Sequence, residues 1–518
     1  MAHNTRLSLT GLMIACALYG ESLRPVLLPL NTNSQIIFSG IVIAIGYEIG
    51  VLLSVTAQKL GIRKVALQRS LKYFIATLVV LVAGFLSWRA MDAQQSFRDF
   101  LVIAAPAPNW VVVWLGSLLV AALLVHLGLL IRAFARWCGK KVQTYLNKKF
   151  TYNFTWLLVA GLGYLLLILL VVVMQILVDI SSRAKPRETY QKSSTFLSGG
   201  EGSLISWEGL GQNGREFVSR DIQALMQSII GELPLKTMKP IRIYAGIDNE
   251  PDLEKRVDLV MREFERTRAF ERSVVVMFTP SGSGWVNPVG VESVEFVTRG
   301  DSASVSLQYS NNQPILQYIR DRGMPARASN LLFSKIRSRL NQVPEVARPK
   351  LYVYGESLGS LGSQEMFQNT PQRNLVNEVD GALWVGSPAS GPLWSAFGLA
   401  ELYSGGESSL VRVEPHSRDL TSNLSSWGPP RLAFLFNSTD PIVWSNPLVI
   451  YKFPRWLKEP RFPEVSKEAR WLPLLTFGHM WFELFSAKNL PSGIGHNYDQ
   501  EIPCAIANVV QPRIEEMC

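Results

Sequence analysis

Histidine and cysteine are scarce in this chain: five and four among 518 residues. Cys16, Cys138, Cys504 and Cys518 form no CxxC pair, which argues against a zinc ribbon or a dithiol redox site. The spacing of His and Cys gives no ligand cluster, so neither a metal nor another cofactor is expected. There is no P-loop, no zinc-finger spacing and no basic patch interleaved with aromatics. The net charge of +10 therefore does not point to nucleic acid. Internal repeats and coiled-coil heptads are lacking too. Oligomeric state is not legible.

Long apolar runs are present. Hydrophobic residues make up 48% of the chain, and the excess lies in residues 7–180. A bilayer core needs about 20 apolar residues in a helix. Five runs qualify: 8–30, 35–57, 71–88, 109–131 and 154–180. The first is interrupted by Glu21 and Arg24, which are three apart and able to pair on one helix face. The basic residues gather between runs, Lys59, Arg63, Lys64, Arg69 and Lys72 in one loop and Arg132, Arg136, Lys140, Lys141, Lys148 and Lys149 in another. With five spans these loops share the cytoplasmic side, and the C-terminal part lies outside the cytoplasmic membrane. The Arg183, Lys185, Arg187 cluster works mildly against that orientation. In an oxidising compartment Cys504 and Cys518 could pair; two free thiols are equally compatible with the sequence.

The organisation expected is a transmembrane helical domain over 1–182, a polar linker over 183–205 and a catalytic domain over 206–518. In the last, short apolar runs at 241–247, 273–279, 304–310, 351–357, 381–387 and 431–437 alternate with helical stretches such as 251–270 and 327–343. Such alternation predicts an α/β fold with a mainly parallel sheet.

The run LYVYGESLGS at 351–360 carries G-x-S-x-G at a strand end. A strand that reverses sharply into a helix places the serine at the apex, and small residues two before and two after let the backbone pass. Ser357 is thus the candidate nucleophile; the plainer alternative is a turn with a capping serine. An activated serine needs a base, and the base an orienting acid, in the order Ser, acid, His. Three histidines follow Ser357. His479 lies in the apolar TFGHMWFELF and reads as a packed residue. His416 comes too early. His496, in the Gly/Pro-rich loop LPSGIGHNYD, is the candidate base. Asp440 ends the strand-like RLAFLFNSTD, where Pro441 fixes the turn; Asp380, Asp419 and Asp499 are less well placed. The oxyanion hole is expected from the N–H of Leu358 and an N–H of the Gly-rich loop after 273–279, at Ser283 or Gly284.

These motifs, with SLRPVLLPL, LGQNGREFV, FTPSGSGWV, GDSASVSLQYS, DGALWVGSP and GIGHNYD, resemble those of the bacterial membrane-anchored α/β-hydrolases with a multi-span N-terminal domain. The resemblance spans nearly the whole chain. It implies an α/β-hydrolase fold and a Ser357, Asp440, His496 site, and it supplies no substrate. Arg215 and Asp301 also match, as supports of the site or as structural residues. The end of the first span departs from the resemblance: ESLRPVLLPL stands where relatives carry a SLTPSLLPR-like end.

The function expected is that of a membrane-bound serine esterase, lipase or acyltransferase acting through an acyl-enzyme on an acylated lipid or envelope molecule. A serine peptidase would use the same triad. A non-enzymatic transport or scaffolding component with a degenerate hydrolase domain is the alternative of another class.

Overall fold

The computed structural model describes residues 8–61, 68–142, 193–232, 236–369, 372–375, 377–398, 411–416, 420, 427–488 and 490–510. The chain forms two compact units. One comprises Met1–Pro186 together with Pro447–Ser486, the other Arg187–Asn446 together with Ala487–Cys518. The second unit thus lacks forty residues that the sequence alone assigned to it.

The first unit opens with α1 (Leu9–Ser22), whose N-terminus is capped by the Ser8 hydroxyl accepting from the Gly11 N–H. α2 (Thr32–Lys59), α3 (Arg69–Phe100) and α4 (Trp110–Val142) follow. Three helices among the described residues are long and apolar enough to cross a membrane: α2, α3 and Trp110–Cys138 of α4. The first expected span is not one of them. α1 has 14 residues, about 21 Å at the helical rise, against a hydrocarbon core of about 30 Å. Pro25 ends it by disfavouring helical backbone at Arg24, and the Glu21–Arg24 ion pair (3.1 Å) closes its last turn. The expected span 154–180 lies outside the described residues. α1 and α2 touch backbone to backbone: a Cβ on Gly46 would lie 2.9 Å, and one on Gly50 2.6 Å, from a Cα of α1. This Gly-x-x-x-Gly contact is the close approach that small residues permit between apolar helices.

The segment Pro447–Ser486 builds onto the same unit. Its helix Leu475–Glu483 packs on α2, with the Phe38 ring 5.2 Å from His479 and 5.3 Å from Phe482. The buried Glu483 carboxylate accepts from the N–H groups of Leu27 and Leu28, both at 2.9 Å, and lies 3.0 Å from His479 Nδ1. Those two N–H groups fall after the end of α1, where no helical carbonyl serves them.

The second unit holds a seven-stranded, wholly parallel sheet in the order β1-β3-β2-β4-β5-β7-β6. Its strands are β1 (Ile241–Ala245), β2 (Val274–Thr279), β3 (Ser302–Leu307), β4 (Lys350–Glu356), β5 (Gly381–Val385), β6 (Val411–Glu414) and β7 (Arg431–Leu435). Five fall in the apolar runs read from the sequence to within one residue, and β3 overlaps the run at 304–310 but begins two residues earlier. β6 falls in none of them, because an edge strand of four residues, VRVE, buries only alternate side chains. The helices Leu253–Arg266 and Met324–Leu340 fill the stretches expected to be helical.

The described part of the expected linker is packed rather than free. Leu197 bridges to Arg242, and the buried Glu263 accepts from the Ser203 hydroxyl (2.7 Å) and the Leu204 N–H (3.0 Å). Arg242 is buried beside Glu292 and Glu295, at 2.6 and 2.5 Å. Burial alone would lower its pKa, but the two carboxylates hold it above the ordinary value.

Candidate active site

The site forms at the carboxyl ends of the strands, where open parallel sheets place their ligand crevices. β4 ends at Glu356, and Ser357 follows with φ 57° and ψ −123°. A non-glycine residue with positive φ is strained. The helix Leu358–Glu365 begins at the next residue, so Ser357 is the apex of a strand-to-helix elbow. The two glycines of the motif are required by space. A Cβ on Gly355 would lie 2.5 Å from Ser363 Oγ, and one on Gly359 2.1 Å from the carbonyl of Thr279, the last residue of β2.

Asp440 and His496 meet although 56 residues separate them: His496 Nδ1 lies 2.6 Å from Asp440 Oδ2. Asp440 caps the short helix Pro441–Trp444, its Oδ1 accepting from the Ile442 N–H at 2.8 Å. The Tyr498 hydroxyl donates to Asp440 Oδ2 at 2.6 Å and accepts from the Asn437 N–H at 3.1 Å. Its phenol is pushed well above the usual range by burial and by the Asp440 charge. Asn437 Nδ2 donates to the carbonyls of Gly495 (2.8 Å) and Asn497 (3.1 Å), and the Gly495 N–H donates to Thr439 Oγ1 (2.9 Å). The loop bearing the acid and the loop bearing the base are thus bonded together on both sides of the pair. His496 Nε2 is buried without a hydrogen-bond partner among the described residues.

The elbow and the histidine loop adjoin at β5. The Ser357 N–H donates to the Val385 carbonyl at 2.9 Å. The next residue, Gly386, has φ +54°, and a Cβ there would stand 2.6 Å from His496 Cε1 and 2.9 Å from Nδ1. The imidazole lies in the space that a side chain at 386 would take.

Glu356, beside Ser357, is a second buried acid. The Tyr354 hydroxyl donates to its Oε2 at 3.0 Å. Burial raises its pKa, offset in part by His496, Lys488 and a hydrogen bond from Asn287. Asn287 also donates to Asp499 Oδ1 at 3.1 Å. A chain of polar contacts therefore runs from the end of β4 to the loop that carries His496.

In the loop after β2, the Ser281 N–H donates to the Trp285 carbonyl (2.9 Å) and the Gly284 N–H to the Ser281 carbonyl (2.8 Å). Of the two residues expected to furnish an oxyanion donor, Gly284 spends its N–H inside the loop. The Ser283 N–H has no partner among the described residues, while its carbonyl accepts from Asn213 Nδ2 and Gln308 Nε2. Leu358, the other expected donor, is the first residue of the helix after the elbow.

The remaining sequence candidates have other places. His479 is held by Glu483 in the helical unit, and His416 Nδ1 lies 4.0 Å from Glu501. Asp380 accepts from the Leu351 N–H at the start of β4. Asp419 lies outside the described residues. Arg215 bonds the Gly211 carbonyl and faces the Trp207 ring. Asp301 accepts from the Ser273 N–H beside the amino ends of β2 and β3, at the opposite edge of the sheet. Tyr498, Asn437, Gly386 and Glu356 were not anticipated. The tyrosine two residues after His496 and the glutamate inside G-x-S-x-G were visible in the sequence, but only the fold tells which polar groups they meet. Cys504 is disulfide-bonded, whereas Cys16 and Cys138 are free; Cys518 lies outside the described residues.

Residues 241–516 match the model of an alpha/beta-hydrolase family, and residues 23–220 match the model of that family's N-terminus. The first match covers more than half of the chain, and the protein belongs to the alpha/beta-hydrolase family. No curated protein and no solved structure matches it.

Proposed function

We propose that the protein is a membrane-bound serine hydrolase, an esterase, lipase or acyltransferase, whose nucleophile is Ser357, whose base is His496 and whose orienting acid is Asp440. One observation carries this reading: the 2.6 Å contact of His496 Nδ1 with Asp440, which leaves Nε2 buried and without a hydrogen-bond partner among the described residues, in a loop that adjoins the strained Ser357 across Val385 and Gly386. Asp440 fixes the tautomer in which Nδ1 carries the proton, so Nε2 is the basic nitrogen. It would take the Ser357 proton as Oγ attacks an acyl carbonyl, then return it to the leaving alcohol. Leu358 N–H and Ser283 N–H would hold the oxyanion. Water, or a sugar or lipid hydroxyl, would then accept the acyl group from Ser357 Oγ.

The substrate class proposed is an acylated lipid or envelope molecule. Supporting it, the hydrolase unit is joined by chain at three points, after 186, 446 and 486, to a unit whose helices are apolar enough to span a bilayer. A disulfide-bonded Cys504 suits an oxidising compartment and so an extracytoplasmic catalytic unit.

A fluorophosphonate ester probe applied to membranes tests the nucleophile. Labelling of wild type, lost in both Ser357→Ala and His496→Ala, is the expected result. An unlabelled wild type in a folded preparation would remove the enzyme reading.

A further inference from the structure

The segment Pro447–Ser486 exposes apolar side chains in one place. Leu448 is 42% exposed, Tyr451 68%, Phe453 50% and Leu474 68%. They come from two stretches that are tied together. The Leu474 N–H donates to the Ile450 carbonyl (3.1 Å), Trp471 Nε1 to the Val449 carbonyl (2.9 Å), and the Phe453 and Trp471 rings meet at 6.0 Å. Leu474 is disfavoured twice over: it has φ 64° and ψ −45°, backbone that a branched side chain rarely adopts, and it holds an aliphatic side chain away from protein. Exposed Lys452, Arg455 and Lys458 flank the patch.

We propose that this patch is a membrane-docking surface, seated in the headgroup region of a bilayer that contains anionic lipid. The inference rests on the reading of α2, α3 and α4 as spanning helices. Depth argues for the interface. α2 has 28 residues, about 42 Å of helix, against about 30 Å of hydrocarbon, so roughly 6 Å at each end lies among headgroups. The helix Leu475–Glu483, which follows Leu474 directly, packs on Phe38, six residues into α2 and so about 9 Å along it. The patch is therefore continuous with the end of a spanning helix. Its chemistry is that of the interfacial belt: tyrosine and phenylalanine whose rings suit the headgroup level, with lysine and arginine facing lipid phosphates. In the chain the patch lies between Asp440 and His496, so its seat would restrain both ends of the segment that joins acid to base.

The test is nitroxide accessibility on the full chain in nanodiscs of phosphatidylcholine and phosphatidylglycerol, in a Cys16→Ala, Cys138→Ala background. Labels go at Tyr451→Cys and Leu474→Cys, with Leu81→Cys on α3 as lipid reference and Val346→Cys in the hydrolase unit as water reference. The expected result is an oxygen-to-nickel collision ratio at 451 and 474 several-fold above that at 346. Two results overturn the proposal while leaving the spanning helices intact: a lipid-like ratio at 81 with a water-like ratio at 451 and 474, or labels at 451 and 474 shielded from both reagents. A water-like ratio at 81 removes the spanning reading and this inference with it.

Discussion

Tyr498 and His496 converge on one oxygen. Both reach Asp440 Oδ2 at 2.6 Å, while Oδ1 is taken by the Ile442 N–H. The acid is fully buried, and three donors from its own unit compensate its loss of water. In the proposed mechanism the two side-chain donors have different roles: His496 would carry the proton chemistry, and Tyr498 would keep the carboxylate in register.

Replacing the acid should therefore cost far more than replacing its second donor. Asp440→Asn keeps the shape but favours the wrong tautomer of His496, and turnover of an activated ester should fall by about 10³–10⁴-fold. Tyr498→Phe removes one hydrogen bond to a charged group, about 1.5–3 kcal/mol, or at most about 10–150-fold in rate. Steady-state kinetics on both variants checks the ranking; equal losses would place Tyr498 in the chemistry itself.

Gly386→Ala should silence the site without unfolding the protein. The added methyl would collide with the His496 ring and displace the base, for which a shift of about 1 Å can cost about 10²-fold. The positive φ adds only about 1–2 kcal/mol of backbone strain. Probe labelling should drop while the thermal transition moves by a few degrees.

Glu356→Gln should stabilise the protein at high pH. Burial raises the pKa of this carboxyl in the folded state, so the native state holds a proton that the unfolded state has released. Stability then declines as pH rises from the unfolded value of about 4.3 through the folded one. Glutamine removes that decline. The melting temperature of the variant should match wild type at pH 4 and exceed it at pH 8. A variant less stable at pH 8 would mean that Glu356 serves the fold as an anion.

The residues of the proposed triad could be singled out in the sequence because each leaves a local trace. Ser357 sits between two small residues after an apolar run, Asp440 precedes Pro441 at a strand end, and His496 lies in a glycine-rich loop late in a chain with few histidines. Tyr498 and Gly386 leave no such trace, since their roles consist of what the fold brings beside them. The first span was overread because its apolar composition continues through Pro25 and Pro29, where the helix cannot. The assignment of 447–486 was illegible for a related reason: hydropathy records that Phe482 and Leu475 must be covered, and not that Phe38 and Leu30 of the helical unit cover them.

That assignment means the two units cannot be separated by a single cut. A fragment starting near residue 187 would keep Ser357, Asp440 and His496 but also the forty residues whose apolar face belongs on α2. Left without Leu27, Leu28 and Phe38, Glu483 would lose both amide donors and Phe482 its cover, and the fragment should aggregate. A soluble form of the hydrolase unit needs a second excision that joins Asn446 to Ala487 through a short flexible bridge.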